Sequence, residues 1–134
     1  MLLIDKVLAG GDDFARCQVR IDAQSTFADE QGVPIWVGIE YMAQTIAVFA
    51  GLKAEQAGEP VKMGFLLGTR RFESEFDYFQ LGDVVEIAVT QSFMQENGLS
   101  VFSCQLTGPR GRQTAQLTVY QPNDAASILA GEQP

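Results

Sequence analysis

Histidine is missing from the whole of this 134-residue chain. Its absence removes the one side chain whose ordinary pKa lies near neutrality, and with it the commonest metal ligand. Acid and base chemistry therefore falls to carboxylates. A zinc site is poorly supported, since CxxC spacing is absent too. Cysteine is nearly as scarce: Cys17 and Cys104 are too few for a disulfide framework. Each falls in an alternating, strand-like stretch where a small apolar residue would serve, so both read as structural thiols. Positive charge is also in short supply, with nine Lys and Arg against seventeen Asp and Glu and a formal charge of -8. A field of that sign repels phosphate backbones and anionic lipid surfaces over about a Debye length, which tells against nucleic acid as a partner. No apolar run reaches the roughly 18 to 20 residues of a membrane helix. The opening "MLLIDKVLAGGDD" meets acidic residues too soon for a secretory signal. Membrane insertion is not expected, and the cytoplasm is the default location.

What the chain has is enough apolar material, 46 per cent against 19 per cent charged, to bury one sizeable core. Residues 1–9 form a short apolar run closed by "GGDD", a strand followed by a turn. Ala15, Cys17, Val19, Ile21 and Ala23 then alternate with polar residues, the period of a half-buried strand. Residues 24–36, "QSTFADEQGVPIW", read as a long loop. From Val37 to Leu52 the spacing of Ile39, Met42, Ile46 and Phe49 gives a helix, and the apolar residues on its other faces predict one wrapped on nearly every side. Gly58 and Pro60 stop it, and Lys53 is placed to complement its carboxyl end. Four strand patterns follow, at 62–76, 83–94, 99–106 and 113–120, joined by the hairpin segments "QENG" and "TGPRGR". The reading is α+β, a lone helix wrapped by a curved antiparallel sheet, with one domain over residues 1–121 and a loose tail over 122–134.

One residue breaks the apolar pattern of the helix. Glu40 is the only charge between Val37 and Leu52, and the residues sharing its face include Trp36, Val37, Ala43, Gln44 and Ala47. On that pattern it is expected in a water-poor groove, where an unpaired carboxylate costs several kcal/mol and so belongs to a site; the alternatives are an Arg partner or a partly wet Glu in the first helical turn. Gln44, one turn on, is placed to hydrogen-bond it. Gly38 leaves room for a polarised carbonyl oxygen at the first helical amides. Trp36 reads as an anchor at the start of the helix, and Leu81, Gly82 and Asp83 as a turn that sets the next strand.

The blocks "LLIDKVL", "GIEYMAQTIAVFAG", "GFLLGTRRF" and "LGD", in this order over residues 1 to about 106, resemble the hotdog-fold 3-hydroxyacyl-acyl-carrier-protein dehydratases. The nearest branch is the dehydratase-like proteins of aryl polyene pathways. The resemblance implies a hotdog fold, no cofactor, and two subunits paired edge to edge with sites at the interface. It assigns the catalytic carboxylate to Glu40, its helix partner to Gln44 and the thioester-carbonyl donor to Gly38. Members of that family use a histidine beside the Glu, and this chain has none.

Three functions follow as expectations. The first is a dehydratase acting on 3-hydroxyacyl thioesters of acyl carrier protein or coenzyme A, in fatty acid or polyene-type biosynthesis. The second is an acyl thioesterase using Glu40 alone. The third is a non-catalytic acyl-binding subunit that borrows its base from another chain. Met42, Phe65 and Leu66, with Ile46, are expected to line the acyl groove, and Lys62, Arg70 and Arg71 to dock an acidic carrier. The expected assembly is a homodimer or higher homo-oligomer, with a hetero-partner hotdog subunit as a further possibility.

Overall fold

The computed structural model describes residues 3–22, 28–30, 32–61, 64–95 and 97–121. Lys62, part of the loop at 24–36 and the segment 122–134 lie outside them.

The strands are β1 (Lys6–Gly10), β2 (Phe14–Arg20), β3 (Val33–Pro34), β4 (Phe65–Ser74), β5 (Tyr78–Phe79), β6 (Val84–Met94), β7 (Leu99–Gly108) and β8 (Gly111–Tyr120). The one helix among the described residues is α1 (Val37–Ala57). Six strands make one antiparallel sheet in the order β1-β2-β6-β7-β8-β4, while β3 and β5 pair separately beside it. Register slips in the β1/β2, β4/β8 and β6/β7 pairings mark bulges, and bulges bend and twist a sheet. The bent sheet carries α1 on one face, against β1, β2, β6, β7 and β8.

Alternation decides what that face contains. Ala15, Cys17 and Val19 of β2, Val85, Ile87 and Val89 of β6, Phe102, Cys104 and Leu106 of β7, and Ala115 and Leu117 of β8 all point inward and are buried. From the helix they meet Val37, Tyr41, Met42, Thr45, Ile46 and Phe49. Edge-to-face aromatic pairs, Tyr41 with Phe79 at 5.6 Å and Phe49 with Phe102 at 5.5 Å, join the layers. Both thiols are buried and free, and burial pushes Cys104 up to about 12.

Two expectations about α1 are corrected. The helix is covered on one side only, because the sheet lies on one face of it; Glu40 and Ala47, on the opposite side, are exposed. Lys53 does not serve the carboxyl end of the helix, whose last turn carries no basic residue. Its Nζ instead donates to the Asp12 carbonyl at 3.1 Å, tying the helix to the β1–β2 turn. The stop at Gly58 holds: at φ 67 it adopts the left-handed cap conformation, donates to the Glu55 carbonyl, and lets Glu59 N–H reach the Ala54 carbonyl at 2.9 Å.

The "LGD" turn behaves as expected. Asp83 is buried, accepts from Gln80 N–H at 3.0 Å and pairs with Arg110 Nε at 3.2 Å.

Candidate active site at the amino end of the helix

The amino end of α1 is built without a capping side chain. Trp36 holds the cap position in a helical conformation, and the first turn is tight, with Gly38 N–H bonded to the Ile35 carbonyl at 3.0 Å and Ile39 N–H to the Trp36 carbonyl at 3.1 Å. The Gly38 amide is thus already engaged within the chain.

Behind that turn lies Gln113, fully buried on the inward face of β8. Its Nε2 donates to the Ile35 carbonyl at 3.0 Å and to Ser74 Oγ at 3.3 Å, so one carboxamide ties β8, β4 and the start of the helix together. Its Oε1 is buried with no hydrogen-bond partner among the described residues. A Cβ added to Gly38 would stand 1.9 Å from that oxygen. Gln113 occupies the space a side chain would need, and that alone requires glycine at position 38. The sequence carried a faint sign of this: Gln113 occupies an inward position in the alternation of Ala115, Leu117 and Val119.

Glu40 projects from the first turn on the uncovered side of α1, where the helix dipole favours an anion. The water-poor groove predicted for it is absent within one chain: Glu40 is exposed, and so is Trp36, at 53%. The reason is angular, since the sheet covers the stripe through 38, 41, 42, 45 and 49 and Glu40 lies across the helix from it. Trp36 is exposed at the start of the helix, and Val37, assigned to the Glu40 face, belongs to the core.

Gln44 stands where the spacing put it, with Nε2 donating to Glu40 Oε1 at 3.4 Å. Its Oε1 accepts from the Leu3 backbone N–H at 2.6 Å, a contact the helical spacing could not reveal. A backbone donor on one side of the carboxamide fixes which end faces Glu40, so the main chain before β1 orients Gln44 and Gln44 steadies the carboxylate.

The groove proposed from Met42, Ile46, Phe65 and Leu66 does not form as one surface. Met42 and Ile46 are sealed in the core, whereas Phe65 and Leu66 lie on β4, Phe65 half-buried and Leu66 44% exposed. The helical period cannot say which stripe of an almost wholly apolar helix the sheet takes. Arg70 and Arg71 are exposed near the middle of β4. Arg70 pairs with Gln116, which faces away from the helix, so this basic pair and Glu40 lie on opposite sides of the sheet.

Tyr41, beside Glu40 in sequence, is 1% exposed. Burial first, then the charges of Asp5 and Asp22, push its hydroxyl up to about 12, so it stays protonated near neutrality. Among the described residues no group of three or more His, Cys, Asp or Glu side chains could hold a metal ion. No described helix is long and apolar enough to cross a membrane.

The backbone is similar to several solved structures. Against the dehydratase heterocomplex ApeI:P from Xenorhabdus doucetiae it superposes with a TM-score of 0.83 and 25% identity, over 98% of this chain and 90% of that one. A hypothetical thioesterase from Streptococcus pneumoniae TIGR4, solved with coenzyme A, gives a TM-score of 0.65 at 11% identity over 87% and 86% of the two chains. A hot-dog-like protein from Thermanaerovibrio acidaminovorans gives 0.65 at 16% over 88% and 87%. These last two likenesses speak to fold alone. No curated protein matches the sequence. The architecture is the hotdog fold, one helix against a curved six-stranded antiparallel sheet. Residues 1–130 match the family described as ApeP-like, ApeP dehydratase, and the chain belongs to that family.

Proposed function

We propose that this protein is one subunit of a dehydratase acting on 3-hydroxyacyl thioesters, with Glu40 as its reacting carboxylate and a second hotdog subunit supplying the base. In that reaction a base removes the proton from the carbon next to the thioester carbonyl. The electron pair forms the new double bond, the 3-hydroxyl departs, and an acid protonates it to water. Glu40 would take the acid role once a partner covers its open helix face and desolvates it; within this chain its carboxylate is steadied by Gln44. Membership of the ApeP-like dehydratase family and the likeness to a dehydratase heterocomplex support this reading.

The observation that carries the two-subunit form is the combination of an exposed Glu40 with a chain that has no histidine. Half of an acid–base pair is present, and it is open to a partner. The rim of β4, with β8 on one side and no described strand on the other, is where a second sheet can join, and exposed Leu66 and Leu67 lie along it.

A second reading, acyl thioester hydrolysis with Glu40 activating water, is favoured by the fold-level likeness to a thioesterase holding coenzyme A. One assay separates the two. The protein, alone and mixed with a histidine-bearing hotdog subunit, is given 3-hydroxyacyl and saturated acyl thioesters, and enoyl product and free thiol are both measured. Dehydration predicts enoyl product that needs the second subunit and falls about 10²- to 10⁴-fold in Glu40→Gln. Free thiol from the saturated substrate with the protein alone selects hydrolysis, and an unchanged rate in Glu40→Gln removes Glu40 from the chemistry.

A further inference from the structure

The face of the sheet turned away from α1 carries a basin of about 400 Å3 that the proposed reaction does not use. Its walls are hydroxyls and carboxamides, Thr90 of β6, Ser103 and Gln105 of β7, and Thr114 and Gln116 of β8, and its cationic group is Arg71 of β4. Ala88 lies among these longer side chains, and its single methyl group leaves the hollow. No carboxylate is among the residues lining it. Two carboxylates lie nearby: Glu86, engaged by Arg16 at 2.9 Å, and Glu73, in register with Thr114 as Arg70 is with Gln116.

Arg71 reaches this position at a conformational cost. Among the described residues it is the only non-glycine one with positive φ, at 55°. It sits in the register slip between Arg70 and Glu73. The inserted residue lets Phe72 turn inward against the core while Arg70 and Glu73 keep the register of the outward-facing Gln116 and Thr114. Glycine would make such a bulge without strain. An arginine held there is a strained residue at the wall of a polar hollow, and strain of this kind persists where a side chain has work to do.

We propose that this basin binds a phosphate-bearing small ligand, separately from Glu40. Arg71 and its neighbour Arg70 supply the charge, and the surrounding hydroxyl and amide groups supply neutral donors for the remaining phosphate oxygens. Local chemistry has to select the anion here, because the chain as a whole carries -8. A basin of about 400 Å3 has room for a small phosphate compound such as pyrophosphate or ADP.

The test is calorimetric titration of the full chain with pyrophosphate and with ADP at low and raised salt, and with an acidic carrier protein stripped of its phosphopantetheine. The parent chain is expected to bind both phosphate compounds at millimolar concentration or below, and binding is expected to weaken as salt rises. Arg71→Gly relieves the strained backbone, so its melting temperature should equal or exceed the parent's while affinity falls at least about fivefold. Arg71→Lys should retain part of the affinity. The proposal is overturned if the parent binds neither compound, if Arg71→Gly binds as well as the parent or melts well below it, or if the stripped carrier binds in their place. None of these results touches the reaction proposed at Glu40, which is read by enoyl product.

Discussion

The two sides of α1 follow different rules. One side, through Tyr41, Met42, Thr45, Ile46 and Phe49, is fitted to the sheet at full burial, and every residue there is explained by what it touches inside the chain. The other side, through Trp36, Glu40, Gln44 and Ala47, holds an exposed aromatic ring, an exposed carboxylate, a carboxamide and one methyl group. An exposed tryptophan and carboxylate on this side, with Gln44 bridging Glu40 and the Leu3 N–H, are what the proposed two-subunit site draws on. The contrast separates the two sides, which the helix pattern alone treats as nearly equivalent.

The contrast makes graded predictions. The largest effect on stability belongs to the covered side: Met42→Ala opens a cavity in a sealed core and should cost about 2 to 5 kcal/mol in denaturant unfolding. A loss below about 1 kcal/mol would mean that the sheet does not close over this stripe. Next comes Gly38→Ala, which must push Gln113 off the Ile35 carbonyl and Ser74 and should cost about 1 to 3 kcal/mol. Removing the obstacle should recover much of that loss, so a double-mutant cycle of Gly38→Ala with Gln113→Ala should show coupling of at least about 0.5 kcal/mol; simple additivity would break the link between them.

Raising the pH probes the same packing from another direction. Burial holds Cys104 and Tyr41 in their protonated forms, each up to about 12 in the fold against ordinary values of 9.0 and 10.0. The fold therefore gains from them below about pH 9 and loses that gain progressively as pH rises toward 12. Melting temperature followed from pH 8 to 11 should fall, and fall less in Cys104→Ala relative to its own value at pH 8. The smallest effect is on the uncovered side: Glu40→Gln should leave stability within about 0.5 kcal/mol of the parent. A large stability loss there would erase the distinction between the two sides.

Much of the fold could be read before any coordinates. The alternation in β2 and β6 to β8 gave strands whose inward residues are the buried ones, and Gly58 marked where the helix ends. The blocks around "GIEYMAQ" and "GFLLGTRRF" pointed to the hotdog fold, and the architecture agrees. Of the candidate site, the hydrogen-bonded pair Glu40 and Gln44 was legible, because a four-residue helical spacing is a local fact. What failed depended on long-range placement. Met42 went to the core and Glu40 to solvent because the sheet chooses one stripe of an apolar helix, and no local period records that choice. Gln113 was passed over because a lone polar residue on a strand face gains its meaning only from Ile35 and Gly38, far away in sequence. The bulge at Arg71 is likewise a matter of register against β8.

The two rims of the sheet bear on how such a protein must be made. The β1 rim is five residues long and broken by a bulge. The β4 rim is ten residues long; arginines guard its middle, while its first residues expose Leu66 and Leu67. An unguarded stretch of strand recruits whatever strand it meets first, including a copy emerging from the next ribosome. If the proposed second subunit joins at this rim, a surplus of this chain leaves the Leu66 and Leu67 stretch free to pair with copies of itself.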